Sequence, residues 1–381
     1  MSLKPLARSV SVIGVGNTQF GDPITHPELK DMSLQDLGAW AARAAMEDAG
    51  IKASEIDKCI LAMVNSAYFN AGNIAPIHGF LEFIGMEGKA GAYQNEACAS
   101  SFCCFEEAVL EVASGRYDTI IVVDTEHSRW TVDPKKPSHV LHPSTEQAKL
   151  FGRPFEGGLT AVDTAYGKHT GALTIDVVAR HFMKDSGITP DELEDALIGF
   201  AISSREQGKL NPVASQHTTW QEEAAKRGYE DVREYMKSKY NPRTNEYARV
   251  GYSVPFAGGA CALIICATDV AIAKNYKQAP IEVVNLSQCE LGAIHSELEY
   301  TMNETATKRL YEVTGYKPED IDYLQTTDMG LAEAMASAVT VGYLPKKEAW
   351  KYFRDGKTKF DSDRPINANG GHISIGHAFS A

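Results

Sequence analysis

The sequence predicts an α/β fold made of two related halves, with a long insertion between them. Short apolar runs typical of buried strands alternate with amphipathic stretches at helical spacing. A glycine-led acidic segment recurs at residues 50–57, 187–194 and 315–322, each time after a predicted helix. Because the first and last copies each follow a strand and a helix, duplication of a β-α-β unit is the simplest explanation. Such alternation is typical of mostly parallel sheets covered by helices.

Local signals mark the N-terminal elements. Residues 9–14 are predicted to form a strand, and residues 33–49 a helix with Ser33 as its N-cap and Asp36 three positions later. The Gly-Val-Gly around the end of the strand lacks the third glycine of a dinucleotide-binding loop, and a proline-containing loop follows it. Nucleotide binding is therefore not expected at this turn.

The remaining elements are predicted from apolar runs bounded by glycine, serine or proline. Strands are expected at residues 117–124, 258–266 and 281–287, helices at 175–186 and 304–314, and a further apolar element at 59–64. The insertion, about residues 128–251, includes a helix-prone stretch of mixed charge. Insertions on a rigid scaffold commonly shape a substrate pocket.

Composition narrows the function classes. The chain has 381 residues, of which 44% are hydrophobic and 23% charged, and its net charge of −13 argues against nucleic acid and anionic membranes as partners. No run of about 18 apolar residues and no signal-peptide pattern is present, so we expect a cytoplasmic protein without a transmembrane helix. Seven cysteines without a CxxC pair fit a reducing compartment and predict neither a disulfide framework nor a zinc site.

Cys98 is the strongest candidate for chemistry. It lies in an uncharged turn of small residues that opens a helix ending near Gly115. The positive end of a helix dipole favours thiolate over thiol and makes the sulfur a nucleophile. The alternative is a small cysteine that fills core space. A glycine-rich, nearly uncharged tail carries His372 and His377, and a cysteine supported by histidine is the pattern for nucleophilic acyl transfer.

Several of these segments together resemble the thiolases. The resemblance rests on residues 95–101, 115–118, 258–260 and 355–356 and on the Gly-Gly and Gly-His pairs at 370–371 and 376–377. The similarity is to the branch that contains the sterol-carrier-protein-type and archaeal thiolases, including aromatic acylsuccinyl-CoA (benzoylsuccinyl-CoA-like) thiolase subunits.

The thiolase resemblance implies a fold of two βαβαβαββ halves in five layers, αβαβα, with an inserted loop domain. Residues 1–270 would form the N-terminal half, including the insertion at 128–251, and residues 271–381 the C-terminal half. The final strands of that half, and the second catalytic cysteine that the family holds in a Cys-x-Gly turn, are not found among the 381 residues. Either the sequence is truncated or the site is completed differently. The family is usually dimeric.

The resemblance also implies a reaction. Cys98 matches the nucleophile that takes the acyl group, and His377 matches the histidine that activates it and supports an oxyanion. The backbone N–H of Cys98 would help to bind the acyl carbonyl oxygen. The expected activity is reversible Claisen chemistry on a 3-oxoacyl-CoA, with coenzyme A as substrate, no tightly bound cofactor and no metal. The residues that contact coenzyme A are not identified by these motifs.

Departures from the family pattern indicate an unusual substrate. Thr327 stands where a histidine is usual, Ala378 replaces a proline after His377, and His372 replaces a leucine. His372 is therefore predicted to supply a missing acid/base or oxyanion donor. Asn95 and Asn369 are expected to organise local hydrogen bonds.

Thiolase-like subunits with such departures often work with a small OB-fold, zinc-ribbon protein, so the resemblance implies a hetero-oligomer as well as a homodimer. Polar and aromatic residues of the insertion could accommodate a bulky or dianionic acyl group: Arg153, Tyr166, His169, Arg205, His217 and Tyr247. Two alternatives remain open at this point. One is a retro-aldolase of the same fold, and the other is a non-catalytic acyl-CoA-binding scaffold subunit.

Overall fold

The structure is a computed structural model that describes residues 3–23, 25–63, 76–96, 98–127, 170–289 and 298–378. The strands of this part of the chain are β1 Val10–Asn17, β2 Lys58–Ala62, β3 Ala90–Gln94, β4 Thr119–His127, β5 Gly258–Ala267 and β6 Ile281–Val283. Its helices are α1 Leu34–Ala49, α2 Pro76–Phe83, α3 Ser100–Ala113, α4 Thr170–Ser186, α5 Pro190–Leu210, α6 Trp220–Lys226, α7 Val232–Lys237, α8 Thr268–Lys274, α9 Leu298–Thr314, α10 Leu331–Thr340, α11 Ala349–Arg354 and α12 Gly371–Ile375.

The chain divides into two compact units. One unit, called the sheet unit below, comprises residues 4–129, 256–286 and 377–381. The other, called the helical unit, comprises residues 1–3, 130–255 and 287–376. The division at residue 270 that the resemblance implies, with its insertion at 128–251, stays a prediction.

The sheet unit is built on one six-stranded mixed sheet with the order β3-β2-β4-β5-β1-β6. β2 pairs in parallel with β3 and β4, whereas β5 pairs antiparallel with β4 and β1, and β6 antiparallel with β1. The expectation of a mostly parallel sheet is therefore wrong for this sheet. The first four strands run in one direction, but β5 enters between β4 and β1 from a long connection, which does not impose the parallel direction of a βαβ crossover.

Helix α1 shows how the local sequence fixes an element of this unit. Ser33 and Asp36 form the predicted capping box, in which the Ser33 hydroxyl accepts the Asp36 N–H at 3.1 Å and the Asp36 carboxylate accepts the Ser33 N–H at 2.8 Å. A Cβ added at Gly16 would lie 2.3 Å from the Ala41 carbonyl oxygen. This glycine is therefore explained by close packing of β1 against α1.

The recurring glycine segments mark the ends of helices, as predicted. The three glycines follow α1, α4 and α9 with φ of +72°, +72° and +78°: Gly50, Gly187 and Gly315. In each copy an acidic side chain then accepts the backbone N–H three residues before it: Glu55, Glu192 and Asp320. The repeat is therefore a helix stop followed by a capped turn, which begins an α-helix in the middle copy and a three-residue 3₁₀-helix in the other two.

The helical unit has its core around α5 and α10. Phe200 and Phe353 pack with ring centroids 4.8 Å apart, and most of α10 is buried. The charged stretch near residues 220–239 forms two short helices, α6 and α7, rather than one.

The resemblance implied a second sheet in the C-terminal half of the chain. Within the described residues of the helical unit, the extended backbone around Leu324 makes only an isolated parallel bridge to Ile366. The single sheet of the described chain is that of the sheet unit. No helix in the described ranges is both long enough and apolar enough to cross a membrane.

Candidate active site

Cys98 lies in the turn that joins β3 to α3. Ala99 is the N-cap of α3, so the cysteine is located just ahead of the helix rather than in its first turn. The turn is held by the buried Ser100 hydroxyl, which accepts the Glu96 N–H at 2.7 Å, and by the Ala99 N–H, which donates to the Glu96 carbonyl at 3.0 Å. Cys98 itself is exposed. A substrate can therefore reach a thiol whose backbone is fixed.

The structure brings Cys98 and His377 together within the sheet unit. The Cys98 Sγ lies 3.7 Å from the His377 Nε2, although the two residues are 279 positions apart in the chain. The His377 side chain is 4% exposed, and its carbonyl accepts the Ala257 N–H at 3.1 Å. A buried imidazole in contact with an accessible thiol is the arrangement in which the base takes the thiol proton.

Other cysteines of the sheet unit differ from Cys98 in burial. Cys59, Cys104 and Cys266 are completely buried. Burial raises the pKa of the Cys59 thiol to about 12, and it also raises the pKa of Cys104 and Cys266. Because the thiolate is the nucleophile, these side chains are suited to packing rather than chemistry.

His372 lies in the helical unit, at the beginning of α12. Its backbone N–H donates to the Asp328 Oδ1 at 2.7 Å, and its ring Nδ1 lies 3.9 Å from the same oxygen. Asp328 is completely buried, and this burial raises the pKa of its carboxyl group. The acid/base or oxyanion role of His372 toward an acyl group stays a prediction.

Asp328 organises the glycine-rich loop, a role that the sequence did not reveal. A Cβ added at Gly371 would lie 2.0 Å from the Asp328 Oδ2, and Gly371 has a φ of +67°. The loop therefore needs a glycine here. Asn369, expected to organise hydrogen bonds, accepts the Gly371 N–H with its side chain at 3.0 Å. The available signal was its place in the sequence, directly after Thr327, which stands where the family usually has a histidine.

Asn95 has a side-chain contact near the cysteine turn, and its role as an organiser of hydrogen bonds stays a prediction. Its amide nitrogen lies 3.5 Å from the Tyr93 hydroxyl, at the limit of a hydrogen bond. Of the insertion residues, Arg205 is buried in the helical unit and donates to the Thr218 carbonyl at 2.9 Å, with its guanidinium over the Trp220 ring.

Three residues named for the acyl group lie outside the described residues: Arg153, Tyr166 and His169. Within the described chain, no three histidine, cysteine or acidic side chains are grouped so that they could hold a metal ion.

Phe256 is a further residue of this site that sequence reasoning missed. It forms a parallel bridge with His377, and the two ring centroids lie 6.0 Å apart with a tilt of 37°. Its side chain is 49% exposed. A phenylalanine two residues before the paired glycines was the only sequence signal.

Family models identify the class to which this fold and its cysteine–histidine pair belong, which is that of the thiolases. Residues 10–217 match the thiolase N-terminal domain, and residues 288–381 match the thiolase C-terminal domain-like model. The chain belongs to the thiolase family, and its α/β thiolase fold and its place among the acyltransferases are confirmed.

Similar curated proteins include two from the expected branch. The acetyl-CoA acetyltransferase of Methanothermobacter thermautotrophicus is 25% identical over 381 residues, which cover 98% of this chain and 88% of the relative. The benzoylsuccinyl-CoA thiolase subunit BbsB of Thauera aromatica is 26% identical over 386 residues, which cover 99% of this chain and 86% of the relative.

A solved structure of an Ltp2–ChsH2(DUF35) aldolase superimposes with a TM-score of 0.72 at 17% identity, covering 98% of this chain and 87% of that one. At this level of identity the superposition supports the shared fold alone.

Proposed function

We propose that the protein is an acyl-CoA:CoA C-acyltransferase that cleaves or forms a 3-oxoacyl-CoA through an acyl-Cys98 intermediate. The observation that carries the proposal is the 3.7 Å contact between the exposed Cys98 thiol and the buried His377 imidazole. Membership of the thiolase family gives this pair its context.

In the cleavage direction, His377 takes the thiol proton and the Cys98 sulfur adds to the 3-oxo carbon of the substrate. The bond between carbons 2 and 3 then breaks, and its electron pair leaves as the enolate of the shorter acyl-CoA, which takes a proton from an acid. We assign that acid to His372. The thiol of coenzyme A then attacks the acyl-Cys98 thioester and releases the second acyl-CoA with the free cysteine.

Both steps pass through an oxyanion that the site has to stabilise. The backbone N–H of Cys98, held by the turn ahead of α3, is the proposed donor to the acyl oxygen. Loss of one such donor typically costs about 3–4 kcal/mol in transition-state stabilisation. No resident cofactor enters these steps, and coenzyme A acts as a substrate.

The acyl group is proposed to be bulky or aromatic. Support comes from the name of the Thauera aromatica relative and from the exposed phenyl ring beside His377. We further propose a homodimer in the cytoplasm. A small OB-fold, zinc-ribbon partner is proposed because the name of the aldolase structure includes a DUF35 subunit.

Intact-mass spectrometry tests the proposal. The protein is incubated with acetoacetyl-CoA and with benzoylacetyl-CoA, in parallel with Cys98→Ser and with Cys103→Ser as a control on a half-buried cysteine of the same region. An acyl adduct is expected in the unsubstituted protein and in Cys103→Ser, but not in Cys98→Ser. Aldol cleavage of a β-hydroxyacyl-CoA that survives Cys98→Ser would favour the retro-aldolase instead. Absence of adduct and turnover would favour the scaffold.

A further inference from the structure

Phe256 is fixed to the catalytic histidine by the backbone. The parallel bridge pairs Phe256 with His377, and the next residue, Ala257, donates its N–H to the His377 carbonyl at 3.1 Å. Ala257 is completely buried, and Gly258 exchanges two backbone hydrogen bonds with Gly21 at 2.7 and 3.1 Å. The Phe256 backbone therefore cannot move away from His377 without breaking these hydrogen bonds, and the ring starts from a fixed point beside the histidine.

The ring presents an apolar face beside the reactive pair. It is 49% exposed, its centroid lies 6.0 Å from that of His377, and the planes are tilted by 37°. The Cys98 sulfur contacts the same imidazole at 3.7 Å and is itself exposed. An acyl group carried on Cys98 thus has His377 as a neighbour in common with Phe256.

A flat or branched apolar acyl group gains binding free energy from contact with such a ring. Aromatic pairs favour offset or edge-to-face contacts at centroid separations of about 4.5–7 Å, and a methyl group covers too little of a ring to gain as much. We propose that Phe256 is a specificity-determining residue, a wall of the acyl site that selects aromatic over short acyl groups. This inference rests on the acyl-Cys98 chemistry proposed above.

The test compares two acyl donors on one protein. Benzoylacetyl-CoA and acetoacetyl-CoA differ at the transferred group, which is benzoyl in one and acetyl in the other. The rates of Cys98 acylation by each are measured by intact mass for the unsubstituted protein and for Phe256→Ala, Phe256→Tyr and Phe83→Ala. Phe83 is the matched control, because it is also 49% exposed and belongs to the same unit.

We expect Phe256→Ala to lower the benzoyl-to-acetyl rate ratio roughly three- to ten-fold, which corresponds to one aromatic contact. Phe256→Tyr keeps the ring and should keep the ratio, and Phe83→Ala should not change it. An unchanged ratio in Phe256→Ala would overturn the inference while leaving the acyl-Cys98 chemistry intact. Absence of any adduct on the unsubstituted protein would overturn both.

A second readout separates selection from support of His377. Alkylation of Cys98 by iodoacetamide reports the thiolate without using the acyl site, so its rate and pH profile should be the same in Phe256→Ala as in the unsubstituted protein. If Phe256→Ala lowers the alkylation rate and both acylation rates by the same factor, Phe256 positions the histidine and the selectivity proposal is wrong.

Discussion

Replacing Gly371 by alanine should destabilise the protein through a clash with Asp328, and the free-energy cost of that clash can be estimated. At a φ of +67° a residue with a Cβ costs about 1–2 kcal/mol. The new methyl group would lie 2.0 Å from the Asp328 Oδ2 and 2.9 Å from its Cγ. Because Asp328 is completely buried in a close-packed interior, its carboxylate cannot move aside freely.

The displaced carboxylate would lose its hydrogen bond from the His372 N–H, now 2.7 Å long. Hydrogen bonds to charged groups contribute about 1.5–3 kcal/mol. We therefore expect Gly371→Ala to lower the free energy of unfolding by about 2.5–5 kcal/mol. The assay is equilibrium unfolding in urea, followed by circular dichroism.

Gly315→Ala is the matched control for this substitution. Gly315 has a φ of +78° in the same unit, and a Cβ there would meet nothing within 4 Å. It should therefore show only the backbone cost of about 1–2 kcal/mol. In the double variant Asp328→Ala/Gly371→Ala the second change should add little beyond that cost. Equal losses for Gly371→Ala and Gly315→Ala would refute the clash with Asp328.

Three further outcomes are expected. Lys58→Met leaves the carboxylates of Glu107 and Glu111 without their buried cation. Because these side chains are 29% and 24% exposed, the free energy of unfolding in urea should fall by about 2 kcal/mol rather than by the 3–5 kcal/mol of a fully buried pair. At pH 8, Cys98 should be alkylated at least about 100-fold faster than Cys59, as measured by mass mapping, because the Cys59 pKa of about 12 leaves little thiolate. Unfolding in urea should abolish this difference in rate. Burial raises the pKa of Asp328 in the folded state. Its favourable contribution to the free energy of unfolding is therefore present below the pKa that it has in the unfolded chain, and is lost as the pH rises through the pKa that it has in the folded protein. The stability of Asp328→Asn relative to the unsubstituted protein should therefore rise between pH 4 and pH 8, and a flat difference would contradict this.

Local signals predicted the ends of elements well. Ser33, Asp36 and the helix-ending glycines act through contacts within a few residues, so the sequence alone carries the information. The same holds for the turn around Cys98, although the cysteine lies just ahead of the helix rather than in its first turn.

Features set by tertiary packing were not predictable in this way. The direction of β5 depends on where a long connection delivers it, and nothing inside the strand encodes that. Phe256 and Asp328 gain their importance from partners more than 40 residues away, namely His377 and His372. The residues themselves pointed to a histidine of the tail as the partner of Cys98, and the family resemblance supplied the choice of His377.

The separation of Cys98 and His377 also bears on how the enzyme is made. The sulfur emerges from the ribosome 279 residues before its imidazole. At about 5–20 residues per second, that interval is roughly 15–55 s. During this time the unfinished polypeptide holds Cys98 without its proposed base, so on this proposal synthesis itself delays the reactivity of the thiol until the segment with His377 is in place.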